Sequence, residues 1–370
     1  MSDPTQQAPN TSTKQFPCGS CGAKLEFSPG ASGLKCPYCG HQNNIPQSAE
    51  EIRELDFYDY FARATEQGDS EEVQTVKCHS CGATSTVQPN VSMSHCPFCG
   101  TQMPAQAKAA RLIKPGALLP FKIPKNKALQ LFRDWLGGLW FAPGGLKEQA
   151  ARDGGIKGMY IPSWTFDSKS TTWYDGERGE NYNETEYYDE KDSNGDIVTR
   201  SRTVTHTRWY NVNGTVWQNF DDILVLAGRS LPPEIMEKLK TWNTKELVPY
   251  QDEYMSGFQS EAYQVDLGDG FERAKKTMDD AIRRTVEKDI GGDKQRINTV
   301  RTQFDDITFK HILLPVWISA YKYGGKSYRF IINGATGEVQ GERPWSMAKI
   351  ALTVIGVIIV LFLIMMVLKK

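Results

Sequence analysis

A chain of 370 residues, 39% hydrophobic and 24% charged, is long enough to bury one substantial core with small modules beside it, and its composition excludes a disordered protein. The formal net charge of −1 and pI near 6.5 supply no global basic field, which weighs against nucleic acid as the main partner. Aromatic residues are frequent, with nine Trp and fifteen Tyr, and cross-strand packing accounts for the many that lie in β-like stretches between residues 160 and 330.

The predicted elements begin with a polar arm over residues 1–15, too poor in apolar side chains to order itself. Two cysteine modules follow, at 16–46 and 75–104. Cys18, Cys21, Cys36 and Cys39 return as Cys78, Cys81, Cys96 and Cys99, and Gly22, Ala23 and Pro29 return as Gly82, Ala83 and Pro89, so the module is duplicated. Two residues between cysteines let a tight knuckle aim both thiolates at one ion, and the following glycine permits the turn. Two knuckles make a closed tetrahedral site of four thiolates. The spacing predicts two zinc ribbons, each too small to hold a core of its own and therefore folded by its metal. Disulfides and an iron–sulfur centre are the competing readings. His41, His79 and His95 lie near sites already filled by four cysteines and are expected outside the ligand sets. With no open coordination position, both Zn2+ ions are structural, and the ribbons read as docking surfaces for protein before nucleic acid.

Residues 47–74 are acidic, with Ile52, Leu55, Tyr58 and Ala62 at helical spacing, and predict a solvated linker helix. From 111 to 345 the pattern is a mixed α+β core. Lys125–Leu136 is a helix with Ala128, Leu131, Phe132 and Trp135 on one face, stopped by Gly137 and Gly138. Residues 156–174 read as a strand pair. Next comes a hairpin through Ser193-Asn194-Gly195-Asp196, whose type I′ signal places Asp189 opposite Arg200. This hairpin is polar on both faces and is expected to project. A short helix with Ile235, Met236, Leu239 and Trp242 precedes a longer one, Gly270–Asp289, with Phe271, Ala274, Met278, Ile282 and Val286 as its apolar stripe. The last strands run through KHILLPVWISAYKYGG and KSYRFIINGATGEV. Lys310 to Ala320 echoes Lys157 to Phe166, each with Pro-x-Trp, which suggests a core of two related halves. The two prolines are expected at bulges, edges or strand starts.

Gly324-Gly325-Lys326-Ser327 imitates the end of a phosphate-binding loop. Ala320 stands where GxxxxGK[ST] needs glycine and a strand-like segment follows, so a hairpin turn is the better reading. The pairs Asp221-Asp222, Asp279-Asp280 and Asp305-Asp306 are read as solvated faces or caps. No catalytic constellation emerges, and the chain is read as non-enzymatic.

Between Lys349 and Lys369, residues Ile350 to Leu368 carry no charge and no proline. Nineteen residues at about 1.5 Å each span roughly 28 Å, the thickness of a bilayer's hydrocarbon layer. A single C-terminal transmembrane helix is predicted. The N-terminal stretch does not read as a secretory signal and all eight cysteines have metal-type spacing, so a cytosolic soluble region on the cytoplasmic membrane is expected.

The ribbons, the C-terminal span and the segments FRDWLGGLWFAP, KGMYIPSWTFD, TRWYNVNGTV and FKHILLPVWISAYKYGGKSYRFIINGATGEVQGERP resemble a bacterial family of zinc-ribbon membrane proteins. Its members are often labelled primosomal protein N′ (replication factor Y) or superfamily II helicase. This chain shows no Walker A motif and is too small for two motor lobes, so the helicase part of that label does not carry over. Relatives similar in layout imply an association with phage-shock protein A (PspA)-like and flotillin-like SPFH proteins in envelope-stress systems. The resulting expectation is a membrane-anchored adaptor that recruits protein partners. A membrane-tethered DNA-binding accessory protein is the alternative, and self-association is left open.

Overall fold

The computed structural model describes residues 16–30, 33–46, 51–62, 70–86, 95–103, 106–146, 155–191, 193–236, 238–239 and 241–368; the expected arm at 1–15 lies outside them. The first ribbon carries strands β1 (Glu26–Phe27), β2 (Gly33–Lys35) and β3 (Gln42–Asn44), which form a separate antiparallel sheet. There follow β4 (Leu55–Asp56), helix α1 (Phe57–Ala62), β5 (Ser70–Lys77), β6 (Thr84–Thr86), β7 (Lys108–Ile113), β8 (Ala117–Leu118) and α2 (Lys125–Gly137). The long strands β9 (Lys157–Lys191) and β10 (Ile197–Leu226) lead to a one-turn helix α3 (Pro233–Met236), β11 (Val248–Pro249) and β12 (Gln259–Glu261). Helix α4 (Leu267–Ile290), β13 (Lys294–Tyr323), β14 (Lys326–Asn333), β15 (Val339–Gly341) and α5 (Met347–Leu368) complete the chain. The result is a mixed α+β protein built on a twelve-stranded sheet.

The spine of that sheet is β10-β9-β13, with β9 antiparallel to both neighbours. Instead of a strand pair at 156–174 there is one continuous strand of 35 residues, because β10 and β13 satisfy its backbone on either side. Beyond Glu180 only β10 accompanies it, and the polar two-stranded ribbon is exposed, as its composition requires. The turn differs from expectation. Asp189 lies opposite Thr199, whose hydroxyl donates to it at 2.7 Å, and Arg200 lies opposite Tyr188. Only Gly195 of the expected turn pair has positive φ, 91°, so a longer loop replaces the type I′ turn and shifts the register by one residue. At the other hairpin, Gly324 and Gly325 have φ of 56° and 79° and connect paired Tyr323 and Lys326, the turn that displaced the phosphate-loop reading.

Pro162 and Pro315 occupy matching places. On the side of β9 away from β13, β12 pairs up to Tyr160 and β10 pairs from Ser163, so Pro162 sits where the neighbour changes. On the side of β13 away from β9, β8 pairs up to Leu313 and β14 from Val316, with Pro315 at the change. A missing N–H breaks no ladder there. The Pro162 carbonyl accepts from Ala227 N–H at 3.0 Å and the Pro315 carbonyl from Gly334 N–H at 2.8 Å. Ala227 O then accepts from Gln264 and Val265, and Gly334 O from Lys122 and Ile123. Trp164 Nε1 donates to Val265 O at 3.0 Å and Trp317 Nε1 to Ile123 O at 2.8 Å, each carbonyl lying two residues before a helix.

Helix α4 starts at an N-cap, Asp266, whose carboxylate accepts from Asp269 N–H, and its expected stripe is buried against β9, β10 and β13. Each such large apolar side chain contributes about 1.5–3 kcal/mol. Helix α2 buries Ala128, Phe132 and Leu136 and ends at Gly138. The acidic linker departs from a plain solvated helix. Leu55 and Asp56 pair with Phe309 and Thr308 of β13, Asp56 caps the short helix α1, and Phe57 is buried against Phe166 and Phe271. An open edge of β13 captures residues whose spacing also suited a helix. Among the described residues, helix α3 likewise covers one turn of the expected helix, yet Ile235, Met236 and Leu239 are buried with Ile161 and Val316. Helix α5 is 22 residues long, exposed along its length, and long and apolar enough to cross a membrane.

Candidate metal centres

All eight cysteines converge into two groups of four, Cys18, Cys21, Cys36 and Cys39, and Cys78, Cys81, Cys96 and Cys99, with the sulfurs of each group within 4.8 Å of one another. The same local fold builds all four knuckles. The glycine after each second cysteine donates its N–H to the carbonyl of the first cysteine, at 2.8 Å for Gly22 and Cys18, 3.0 Å for Gly40 and Cys36, 3.0 Å for Gly82 and Cys78, and 2.9 Å for Gly100 and Cys96. These glycines have φ between 72° and 75°, the left-handed turn that a side chain resists.

Across each centre the sulfurs pair closely: 3.6 Å for Cys18 with Cys39, 3.5 Å for Cys21 with Cys36, 3.6 Å for Cys78 with Cys99 and 3.7 Å for Cys81 with Cys96. Four thiolates about 2.3 Å from one tetrahedral ion lie about 3.8 Å apart, so the donor sets suit two zinc ions. The Cys39 N–H points at Cys36 Sγ and helps hold that thiol down to about 6, whereas burial pushes Cys96 up. His41, His79 and His95 are exposed and belong to neither group.

The centres differ in their surroundings. The first ribbon docks on the core through Phe27, which meets Tyr254 and Phe258, and through Ser256, whose hydroxyl donates to Leu25 O at 2.7 Å. Its second knuckle, Cys36-Pro37-Tyr38-Cys39, stands free, with Tyr38 82% exposed. In the second ribbon the matching residue, Phe98, is 0% exposed and packs with Met103, Met159 and Ile318. Strand β6 also joins the large sheet by pairing with β12, with β5 beside it and β7 at the edge. The second ribbon is therefore a wall of the core, and the first presents its second cysteine knuckle to solvent. The aromatic difference at positions 38 and 98 was visible in the sequence, but its meaning depends on what lies opposite each knuckle.

Two charged groups are not legible in the sequence. Asp221-Asp222 is expected as a solvated face or cap, whereas Asp222 pairs with a buried lysine, and neither Lys310 nor Glu261 stands out as a buried charge. Lys310, with its side chain 8% exposed, reaches Glu54 at 2.8 Å, Asp222 at 2.9 Å and Asp167 at 3.6 Å. Burial works against its charge, but the surrounding carboxylates outweigh it and hold the ammonium firmly charged; the lysine in turn lowers Glu54, while burial raises Asp167 to about 6. Carboxylates of Asp167, Asp221 and Asp222 come within 4.8 Å of one another, yet the lysine already supplies the counter-charge at Asp222. Two of the three register shifts against β9 fall on a repeated Phe-Asp-Asp-Ile, at 220–223 and 304–307, with Asp222 and Asp306 at φ 51° and 49°. That repeat is the signal that could have located them. Asp279 and Asp280 lie on the exposed side of α4, as expected. The second group is Glu261, buried with Oε1 accepting from the Ser230 hydroxyl and N–H, and raised to about 7 by burial.

No family model matches the chain, and no solved structure matches it. It is similar to the uncharacterized protein YdjG of Bacillus subtilis (strain 168), with 27% identity over 337 residues that cover 91% of this chain and 92% of that protein.

Proposed function

We propose that this protein is a non-catalytic, membrane-anchored adaptor whose first zinc ribbon receives a protein partner at the cytosolic face of the membrane. The exposed knuckle around Tyr38 carries this reading, because the homologous knuckle of the second ribbon is consumed by the core. A large exposed Tyr on a metal-stiffened turn suits a protein-binding hot spot. Each four-cysteine set would hold one structural Zn2+, giving a rigid docking head without an open coordination position. Helix α5 would span the membrane, and free cysteines suit a soluble region in the reducing cytosol.

The core between these ends reads as two related halves. The unit β8-α2-β9-β10 matches β12-α4-β13-β14, and the paired Pro-x-Trp segments, with their indole bonds to the residue two before each helix, support the duplication. The halves exchange contacts: Trp164 of the first anchors the helix entry of the second, and Trp317 the reverse. Such a core suits a rigid spacer between ribbon and bilayer. By resemblance, PspA-like and SPFH-like proteins are the partners to seek.

Purification of the tagged full-length protein from gently solubilised membranes, with and without nuclease, tests the reading. Protein partners that persist after nuclease support the adaptor. Replication proteins that vanish with nuclease would favour the DNA-binding alternative.

A further inference from the structure

We propose that the loop 139–146, together with Trp345, forms a foot that seats the core in the headgroup layer of a phospholipid bilayer; this rests on the reading that α5 spans the membrane. The loop begins where Gly138 ends α2, and it is held from within by buried Ala142 and Leu146. Trp140 points outward and is 78% exposed. It is not a free loop. Ser346 N–H donates to Phe141 O at 2.8 Å, and Lys349 Nζ donates to Ala142 O at 2.7 Å and to Trp140 O at 3.4 Å. Lys349 is the last charge before the apolar run from Ile350, so these contacts fix Trp140 level with the point where the helix enters hydrocarbon.

Trp345 joins the same level, 53% exposed, with its ring 6.4 Å from Phe141 and the Arg343 guanidinium 4.1 Å above it. Two indoles in water are costly, whereas an indole at the interface buries its apolar body among lipid and keeps its N–H among headgroups. The Tyr323 hydroxyl bonds Gly144 O at 3.3 Å, bringing the Gly324-Gly325 turn and exposed Lys326 to the same side. The cations there complement lipid phosphate. Because the foot is bonded to α2 and to β13, the core would stand on the membrane at a fixed attitude rather than swing from a tether.

The test uses the full chain reconstituted in phosphatidylcholine–phosphatidylglycerol vesicles containing lipids brominated near the top of the acyl chain, which quench nearby indoles. The parent protein should float with the vesicles and show a quenched tryptophan component. W140F and W345F should each remove part of that component, and the double variant most of it. W217F, a change at a Trp that is 72% exposed on β10, should leave it unchanged. A chain that floats but whose quenching is unaltered in the double variant overturns the foot alone. A chain that does not float overturns the span and the foot together.

Discussion

Lys310 Nζ lies 2.8 Å from Glu54 Oε1, and this contact ties the segment between the two ribbons to the central sheet. Only the lysine is buried; the Glu54 side chain is 43% exposed. Removing the cation would leave Asp167, Asp222 and Glu54, all partly open to water, without a counter-charge, so Lys310→Met should cost about 1.5–3 kcal/mol. Glu54→Gln should cost less, on the order of 1 kcal/mol, because two carboxylates still hold the lysine. Denaturant unfolding in detergent, run as a double-mutant cycle, measures both. Equal losses would mean that the linker contact rather than the buried charge carries the energy.

Glu261 supplies a pH dependence of definite sign. Its folded-state value of about 7 stands above the ordinary 4.5, so the folded protein binds the proton better than the unfolded chain does. The associated stability is fully present below about 4.5 and is lost as pH rises toward 7. Between about pH 5.5 and 8 the loss is about 2 kcal/mol. Glu261→Gln keeps the acceptor for Ser230 and has no charge to desolvate. Its stability relative to the parent should therefore rise by that amount over the same interval, and a constant difference between the two proteins would contradict the assignment.

The two ribbons should respond differently at their matched aromatic positions. Phe98→Ala empties a fully buried site and should cost about 3–5 kcal/mol. Tyr38→Ala, at an 82% exposed site, should change stability by no more than about 0.5 kcal/mol and leave metal content intact. Replacing Cys36 and Cys39 with Ser should reduce bound zinc from two ions per chain to one, measured by elemental analysis. Unchanged zinc after that substitution would remove Cys36 and Cys39 from the ligand set.

The indole pair gives a further test. Trp164→Phe and Trp317→Phe each strip a donor from a carbonyl at a helix entry, buried at Val265 and part-buried at Ile123, and should each cost about 1–3 kcal/mol. If the two positions are equivalent, the losses should be similar; a large loss at one and none at the other would argue against matched halves.

The two four-cysteine clusters and the apolar terminal helix were legible because each is a local pattern: fixed cysteine spacing with glycine at the turn, and an unbroken apolar run. The stripe of α4 and the start of α2 were legible by periodicity. What the sequence concealed depends on partners distant in the chain. Leu55 and Asp56 suited a helix until β13 offered a free edge. The hairpin register followed the length of a loop rather than the Asn194-Gly195 signal. Lys310 looked like any strand-end lysine, since its carboxylates come from residues 54, 167 and 222. Phe98 and Tyr38 occupy the same local motif, and only the packing around Phe98, with Met159 and Ile318 in the same cluster, separates a buried wall from an exposed knuckle.

The adaptor reading is tested most directly by a photo-reactive amino acid placed at position 38 of the full-length protein in intact cells, with position 98 as the buried control. Illumination should link position 38 to another protein in an adduct that survives nuclease, while position 98 yields only internal links. Adducts to nucleic acid alone, or the absence of any adduct at position 38, would contradict the account.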